Sequence, residues 1–130
     1  MSANAWDASI QNLYPTRAGG NVAVADLPSG DPYEVHCHVT IGQNLNEHVD
    51  EFLLRVSVTN LTTSTNVQTV DLPGNLTPAN NTDFFSEEVL SFNAPGQTPG
   101  DVLQAVASYT VTAGANTDIA SAESATFVVS

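Results

Sequence analysis

Two histidines at alternate positions of a β-type run are the residues whose spacing could do chemistry. His36 and His38 lie in the run Val35-His36-Cys37-His38-Val39. On a strand, alternate side chains share a face and stand about 7 Å apart, which lets two imidazoles bind a divalent metal if a third ligand arrives. His48, in the acidic segment that follows, is the candidate third ligand. The sequence therefore allows a metal site at His36, His38 and His48, and it favours the alternative of two ordinary histidines on the polar face of a strand.

Other acidic and nucleophilic patterns point away from catalysis. The acidic segment 44–51 could offer oxygens to calcium, but it lacks the regular Asp-x-Asp-x-Asp-Gly order. Glu87 and Glu88 are adjacent, so on a strand they face opposite ways and cannot flank one glycosidic bond. The sequence contains no Gly-x-Ser-x-Gly elbow, phosphate loop or Cys-x-x-Cys pair. We expect a chain that is not an enzyme and that needs no cofactor.

Three aromatic residues could instead form a platform on which a sugar stacks. Trp6, Tyr14 and Tyr33 all fall near the ends of predicted strands. Aromatic residues in such places often fill the mouth of a sandwich, and this is the alternative interpretation.

The charge balance excludes polyanionic partners. The chain has 14 acidic residues against Arg17 and Arg55 alone, which gives a formal charge of −12. Proteins bind nucleic acid and anionic membranes through clustered Lys and Arg, so neither partner is expected.

No apolar run approaches the roughly 18 residues that span a bilayer, and no signal peptide is visible. Only 12% of the residues are charged, and a neutral polar surface of this kind favours an extracellular, cell-surface or virion setting.

The elements that must position these residues are short strands. β-Branched runs alternate with Pro, Gly, Asn and Asp clusters throughout the chain after residue 20, as in a β-sandwich. The sequence predicts an all-β fold, a single antiparallel sandwich of about seven strands. The predicted strands are 21–27, 33–41, 51–60, 65–72, 83–92, 102–112 and 119–129.

Alternation within these runs assigns their faces. In the second run Val35, Cys37, Val39 and Ile41 share the core side, and His36 shares the polar side with its alternate neighbours. We therefore expect the single cysteine to be a buried, reduced thiol.

The same runs resemble an immunoglobulin-like β-sandwich of the bacterial or viral surface type. The resemblance rests on the Val-His-Cys-His-Val run, a long third strand ending in Val58-Thr59-Asn60, and a Pro99-Gly100-Asp101 turn before 102–111. It covers about residues 20–130. The second cysteine and the strand-three tryptophan of true immunoglobulin domains are missing. The resemblance implies a scaffold used in adhesion, capsid decoration and filaments, and it implies no activity.

The first residues are predicted to form a separate arm. We divide the chain into an N-terminal arm, 1–19, and a sandwich domain, 20–130, joined at Gly19-Gly20. Trp6, Ile10 and Leu13 fit one helical face, whereas Trp6, Ala8 and Ile10 fit a strand, and a segment this short cannot be decided by its period. The arm could bind a neighbouring subunit, or it could fold back on its own sandwich.

The sequence thus predicts a non-catalytic structural or interaction module. In the leading hypothesis it self-assembles into a homo-oligomer, or decorates a larger particle such as a filament, capsid or cell surface. The alternative is a domain that binds a glycan or a divalent metal.

Overall fold

The computed structural model describes residues 6–130, and its regular structure is almost entirely β-strand. One short helix, α1, interrupts the strands between β3 and β4. The strands and the helix are β1 Ala8–Arg17, β2 Asp26–Leu27, β3 Tyr33–Ile41, α1 Gln43–Asn46, β4 Glu51–Asn60, β5 Thr65–Asn75, β6 Phe84–Phe92, β7 Val102–Ala113, β8 Asn116–Glu123 and β9 Phe127–Val129.

The strands form two sheets around one core. The smaller sheet has three strands in the order β1-β3-β6. The larger sheet has the order β2-β9-β7-β4-β5, with β8 also paired to β7, and all pairs in both sheets are antiparallel except β2 with β9. Apolar side chains from both sheets meet in a single cluster. The predicted all-β sandwich is confirmed.

The central strands begin and end where the pattern predicts. β3 and β4 coincide with the predicted strands 33–41 and 51–60. Val35, Cys37, Val39 and Ile41 of β3 are each at most 1% exposed. The inner face of β3 packs against the core over its whole length, so alternation alone fixes the orientation of the strand.

Three predicted strands are wrong in extent: the run 65–72 continues to Asn75, and two others differ more. Only Asp26–Leu27 of the run 21–27 forms a strand, and it pairs in parallel with β9. The run 119–129 is divided into β8 and β9 around Ser124, which is 5% exposed. Ser124 donates its backbone N–H to the Ala105 carbonyl, and its hydroxyl oxygen accepts the Ala105 N–H. The serine hydroxyl therefore replaces one rung of the backbone ladder, and the strand breaks there.

The described part of the predicted arm folds back on its own sandwich, the second of the two alternatives, because residues 8–17 form strand β1. β1 pairs along its length with β3, from Ala8 opposite Ile41 to Arg17 opposite Tyr33. The boundary at residue 19 separates no arm: Gly19 has a φ of +77°, and the Gly20 N–H donates to the Arg17 carbonyl in a tight turn. Residues 1–5 of the predicted arm lie outside the described residues.

An irregular pairing in β1 explains the helix-like spacing of its apolar residues. The register with β3 shifts between Ile10 and Asn12, so that one extra residue is inserted in β1. Such a bulge moves the next inward residue from two positions along the strand to three. Ile10 and Leu13 therefore both face the core although they are three apart.

Candidate binding face on the three-stranded sheet

The outer face of the three-stranded sheet carries His36 and His38. The register places Tyr14 of β1 and Val89 of β6 on either side of His36. In the same way Glu87 of β6 lies opposite His38. The β-strand pairing thus brings together side chains that are distant in sequence.

The carboxylate of Glu87 bridges the two imidazoles. Glu87 Oε1 lies 3.1 Å from His36 Nδ1, and Glu87 Oε2 lies 3.0 Å from His38 Nε2. An ionised carboxylate only accepts hydrogen bonds, so both ring nitrogens that face it carry hydrogens and donate. Each histidine therefore uses the nitrogen nearest the neighbouring strand to hold Glu87 in place.

Tyr14 covers His36 from the third strand. The Tyr14 and His36 rings stack with centroids 5.2 Å apart and planes 16° apart, and Tyr14 Oη lies 3.2 Å from His38 Nε2. The side chain of His36 is consequently 3% exposed, against 39% for His38. His36 Nε2 is buried without a hydrogen-bond partner, 4.0 Å from Glu34 Oε1. Tyr14 therefore shields His36 from solvent, whereas His38 stays partly exposed.

A second row of polar side chains lies beside an exposed aromatic ring. The hydroxyl oxygens of Ser9 and Thr40 are 2.6 Å apart, and Gln11 Nε2 donates to Ser9 Oγ at 2.8 Å. Phe85 lies opposite Thr40 and is 61% exposed. A shallow groove of about 420 Å³ runs between this row and the ring. We call the surface formed by Gln11, Tyr14, His38, Thr40, Phe85 and Glu87 the binding strip.

No cation belongs to the strip. Arg55 lies on the larger sheet, where its Nε and Nη2 donate to the two carboxylate oxygens of Asp71 at 2.7 and 3.0 Å. These hydrogen bonds lower the pKa of Asp71 and raise that of Arg55. Arg17 is the last residue of β1 and lines a different cavity, near Leu27 and Pro28. The strip therefore offers an aromatic ring, hydroxyl and amide groups, imidazole and carboxylate, without positive arginine or lysine charge.

The adjacent acidic residues face opposite ways, as predicted. Glu87 points outward, whereas Glu88 lies opposite Cys37, on the core side of β6, and accepts a hydrogen bond from Ser86 Oγ at 2.6 Å. β6 is an edge strand of its sheet. A charged group that points inward at an edge disfavours pairing with another chain.

The structure does not bring the three predicted metal ligands together. His48 follows α1 and lines a separate cleft of about 700 Å³ with Trp6, Asp50 and Asp118, among others. His36 and His38 point instead toward Glu87. Within residues 6–130, no group of three or more His, Cys, Asp or Glu side chains has an arrangement suited to a metal ion.

The three residues predicted to mediate assembly also lie in different places. Leu13 is 6% exposed in the core, and Ile10 packs partly buried against it. Trp6 is 59% exposed beside the cleft that contains His48. Ile10 and Leu13 are therefore already used inside their own sandwich and do not form the predicted docking surface with Trp6.

The predicted aromatic platform is also divided. Tyr33 lies in the core, 1% exposed, and stacks on Phe92 with ring centroids 5.2 Å apart. Tyr14 covers His36, and Trp6 lies in the other cleft. These three residues share no single surface.

The prediction for the cysteine is confirmed. Cys37 is fully buried and reduced. Burial, and secondarily the negative charge of Glu88, raises the pKa of its thiol to about 12. The thiol is therefore neutral and part of the core.

Sequence reasoning did not assign Gln11, Thr40, Phe85 or Glu87 to a binding site, and Phe85 and Glu87 matter most. Adjacent aromatic residues, Phe84 and Phe85, signal that one ring of a strand must face outward, because neighbours alternate. Glu87 carries no such local signal, since its role depends on the cross-strand pairing with His38.

Comparison with known proteins supports the fold. No protein-family model matches the sequence, and no curated protein matches it. The structure resembles part of a glycosyl hydrolase family 2 member from Bacteroides cellulosilyticus, with 12% identity and a TM-score of 0.55, over 94% of this chain and 15% of that one. A putative beta-galactosidase from Bacteroides fragilis aligns with a TM-score of 0.48 and 13% identity, over 89% of this chain and 17% of that one.

The two packed sheets, together with the likeness at a TM-score of 0.55, define a β-sandwich domain. The chain spans about a sixth or less of the length of the two hydrolases that it resembles. Among the described residues, no helix is both long and apolar enough to cross a membrane.

Proposed function

We propose that this chain is a non-catalytic accessory module that binds a carbohydrate through the binding strip. The observation that carries the proposal is the exposed ring of Phe85 beside a fixed row of polar side chains. An exposed aromatic ring can pack against the C–H face of a sugar, while nearby carboxylate, amide and hydroxyl groups bond its hydroxyl groups. The strip provides both on one face of one sheet.

The polar groups of the strip are fixed before any ligand arrives. Glu87, His36, His38 and Tyr14 hold one another through contacts of 3.0 to 3.2 Å and a stacked ring pair. Side chains that are already ordered lose less conformational entropy on binding. A shallow groove can therefore bind a ligand with few contacts.

The fold comparison gives the proposal independent support. A similar sandwich forms about 15% of a chain described as a glycosyl hydrolase family 2 member. This fold thus occurs as one part of a carbohydrate-active protein, the context in which an accessory module works. An extracellular or cell-surface location fits the same proposal and the low fraction of charged residues, 12%.

Association into a homo-oligomer remains a prediction with less support than glycan binding. Its main basis was an arm free to dock on another subunit, and β1 is instead paired within the sandwich. Glu88 on the core side of the β6 edge also opposes the addition of a strand there.

Titration calorimetry with a panel of neutral oligosaccharides tests the proposed function. The panel consists of β-1,4-linked hexamers of glucose, mannose, galactose and xylose. We expect binding to at least one member, and Phe85→Ala should weaken that binding about tenfold, since losing the ring contact removes roughly 1.4 kcal/mol.

Ile119→Ala is the matched control for the loss of an exposed apolar side chain. Ile119 is 67% exposed on β8 of the other sheet. Equal losses in the two variants, or no binding of any panel member by the native chain, would contradict the proposed function.

A further inference from the structure

We propose that Glu87 makes the binding strip selective for neutral sugars over uronic acids, by accepting ligand hydroxyl groups and repelling ligand carboxylates. The inference rests on the proposed function and names the ligand class of the same site.

The carboxylate of Glu87 has acceptor capacity left over. An ionised carboxylate offers about four acceptor positions on its two oxygens. Each oxygen uses one position on an imidazole, Oε1 on His36 and Oε2 on His38. The side chain is 45% exposed, so the remaining positions open to solvent. Two neighbouring hydroxyl groups of a sugar could donate to them together.

The position of Glu87 matches a sugar stacked on Phe85. The two residues are two apart on β6, share its outer face, and line the same groove. Alternate residues of a strand are about 7 Å apart, which is roughly the span of one sugar ring. A ring packed on Phe85 therefore brings its edge hydroxyl groups to Glu87.

His36 is a positioning residue for this interaction. It is covered by Tyr14 and holds Oε1 from below, so that the carboxylate cannot turn away without leaving a buried ring nitrogen unpaired. The fixed carboxylate presents its negative charge at the groove in one orientation.

The charges around the strip oppose an acidic ligand. Glu34 and Glu87 both lie on this face around His36, whereas Arg17 and Arg55, the two arginines of a chain without lysine, lie elsewhere. The formal charge of the chain is −12. A uronate carboxylate at Glu87 would replace two hydrogen bonds by the repulsion of like charges.

The experiment compares one sugar in two charge states. We would measure the affinity of the native chain, at pH 8, for the hexose hexamers that bind and for the same hexamers oxidised at C6 to uronates. We expect the neutral form to bind about tenfold more tightly in 20 mM salt, and the ratio to shrink in 500 mM salt because screening weakens the repulsion.

Glu87→Gln and Glu88→Gln form a matched pair of variants. They remove the same charge from adjacent residues that face opposite sides of β6. We expect Glu87→Gln to weaken neutral binding and to bring the ratio near one, and Glu88→Gln to leave both unchanged. Thermal melting of each variant verifies that it is folded.

Three outcomes would overturn the inference. Equal or tighter binding of the oxidised hexamers by the native chain would refute it without any variant, and the proposed function would stand. The same change of ratio in both variants would remove the assignment to Glu87. Binding of neither form would reject the inference together with the proposed function.

Discussion

Burial controls the chemistry of single residues in this core. Cys37, Tyr33 and Tyr109 carry the only strongly shifted groups among the described residues, and in each case desolvation by burial is the first cause of the raised pKa. All three are therefore neutral at physiological pH. They act as core side chains and not as reactive groups.

These shifts predict a loss of stability in alkali. A raised folded-state pKa means that the unfolded chain releases its proton first as the pH rises, so the free energy of unfolding falls from the unfolded pKa upward. For Cys37 the range runs from about 8.5 in the unfolded chain to about 12 in the folded one. We expect a loss of about 2 to 3 kcal/mol between pH 8.5 and 10.5 from this thiol, measured by urea unfolding under reducing conditions.

Cys37→Ala separates the thiol from the tyrosines. The variant is less stable at every pH because it leaves a cavity, but its stability should fall much less steeply between pH 8.5 and 10. In Tyr33→Phe the free energy of unfolding should still fall steeply between pH 8.5 and 10. Above pH 10 it should fall less steeply than in the native chain. An unchanged slope in Cys37→Ala would contradict this account of the thiol.

At the scale of the elements, β1 shows how one extra residue changes the meaning of a pattern. The bulge between Ile10 and Asn12 gives two core residues of a strand a helical spacing, so the period of this short segment could not distinguish helix from strand. The structure instead makes β1 the edge of the three-stranded sheet, with Leu13 inside the core. The packing of β1 therefore contributes to the free energy of unfolding of the sandwich.

Substitutions at the buried Leu13 and at the inserted residue Gln11 test this role. Leu13→Ala should lower the free energy of unfolding by about 2 to 4 kcal/mol, as for other buried leucines. Gln11→Ala, at an exposed neighbouring position, should change it by less than about 0.5 kcal/mol. Urea unfolding of both variants measures the difference. Equal small effects, with a change of oligomeric state in Leu13→Ala, would favour the arm over the strand.

Local pattern was sufficient for the central strands and insufficient for the edges and the site. The strict alternation of β3 and β4 fixed their bounds and faces, because both strands have a partner on each side. The bulge in β1 and the break at Ser124 depend on hydrogen bonds to other strands. The contact of Glu87 with His36 and His38 depends on the register of β3 with β6, which a single run of residues does not contain.

At the scale of the whole molecule, the two outer faces of the sandwich differ in character. The larger sheet carries the exposed ion pair of Arg55 and Asp71. The smaller sheet carries the exposed ring of Phe85 and a connected polar network without a lysine or arginine. This difference is the reason to place ligand binding on the three-stranded sheet of an otherwise uniform acidic domain.

The most direct test of that placement is a map of amide chemical shifts during titration with the tightest-binding neutral hexamer. We expect the largest changes on β1, β3 and β6, with little change on the outer face of the larger sheet. The residues expected to shift most are Gln11, His38, Thr40, Phe85 and Glu87. Changes centred instead on the cleft around Leu45, His48 and Thr117 would contradict it.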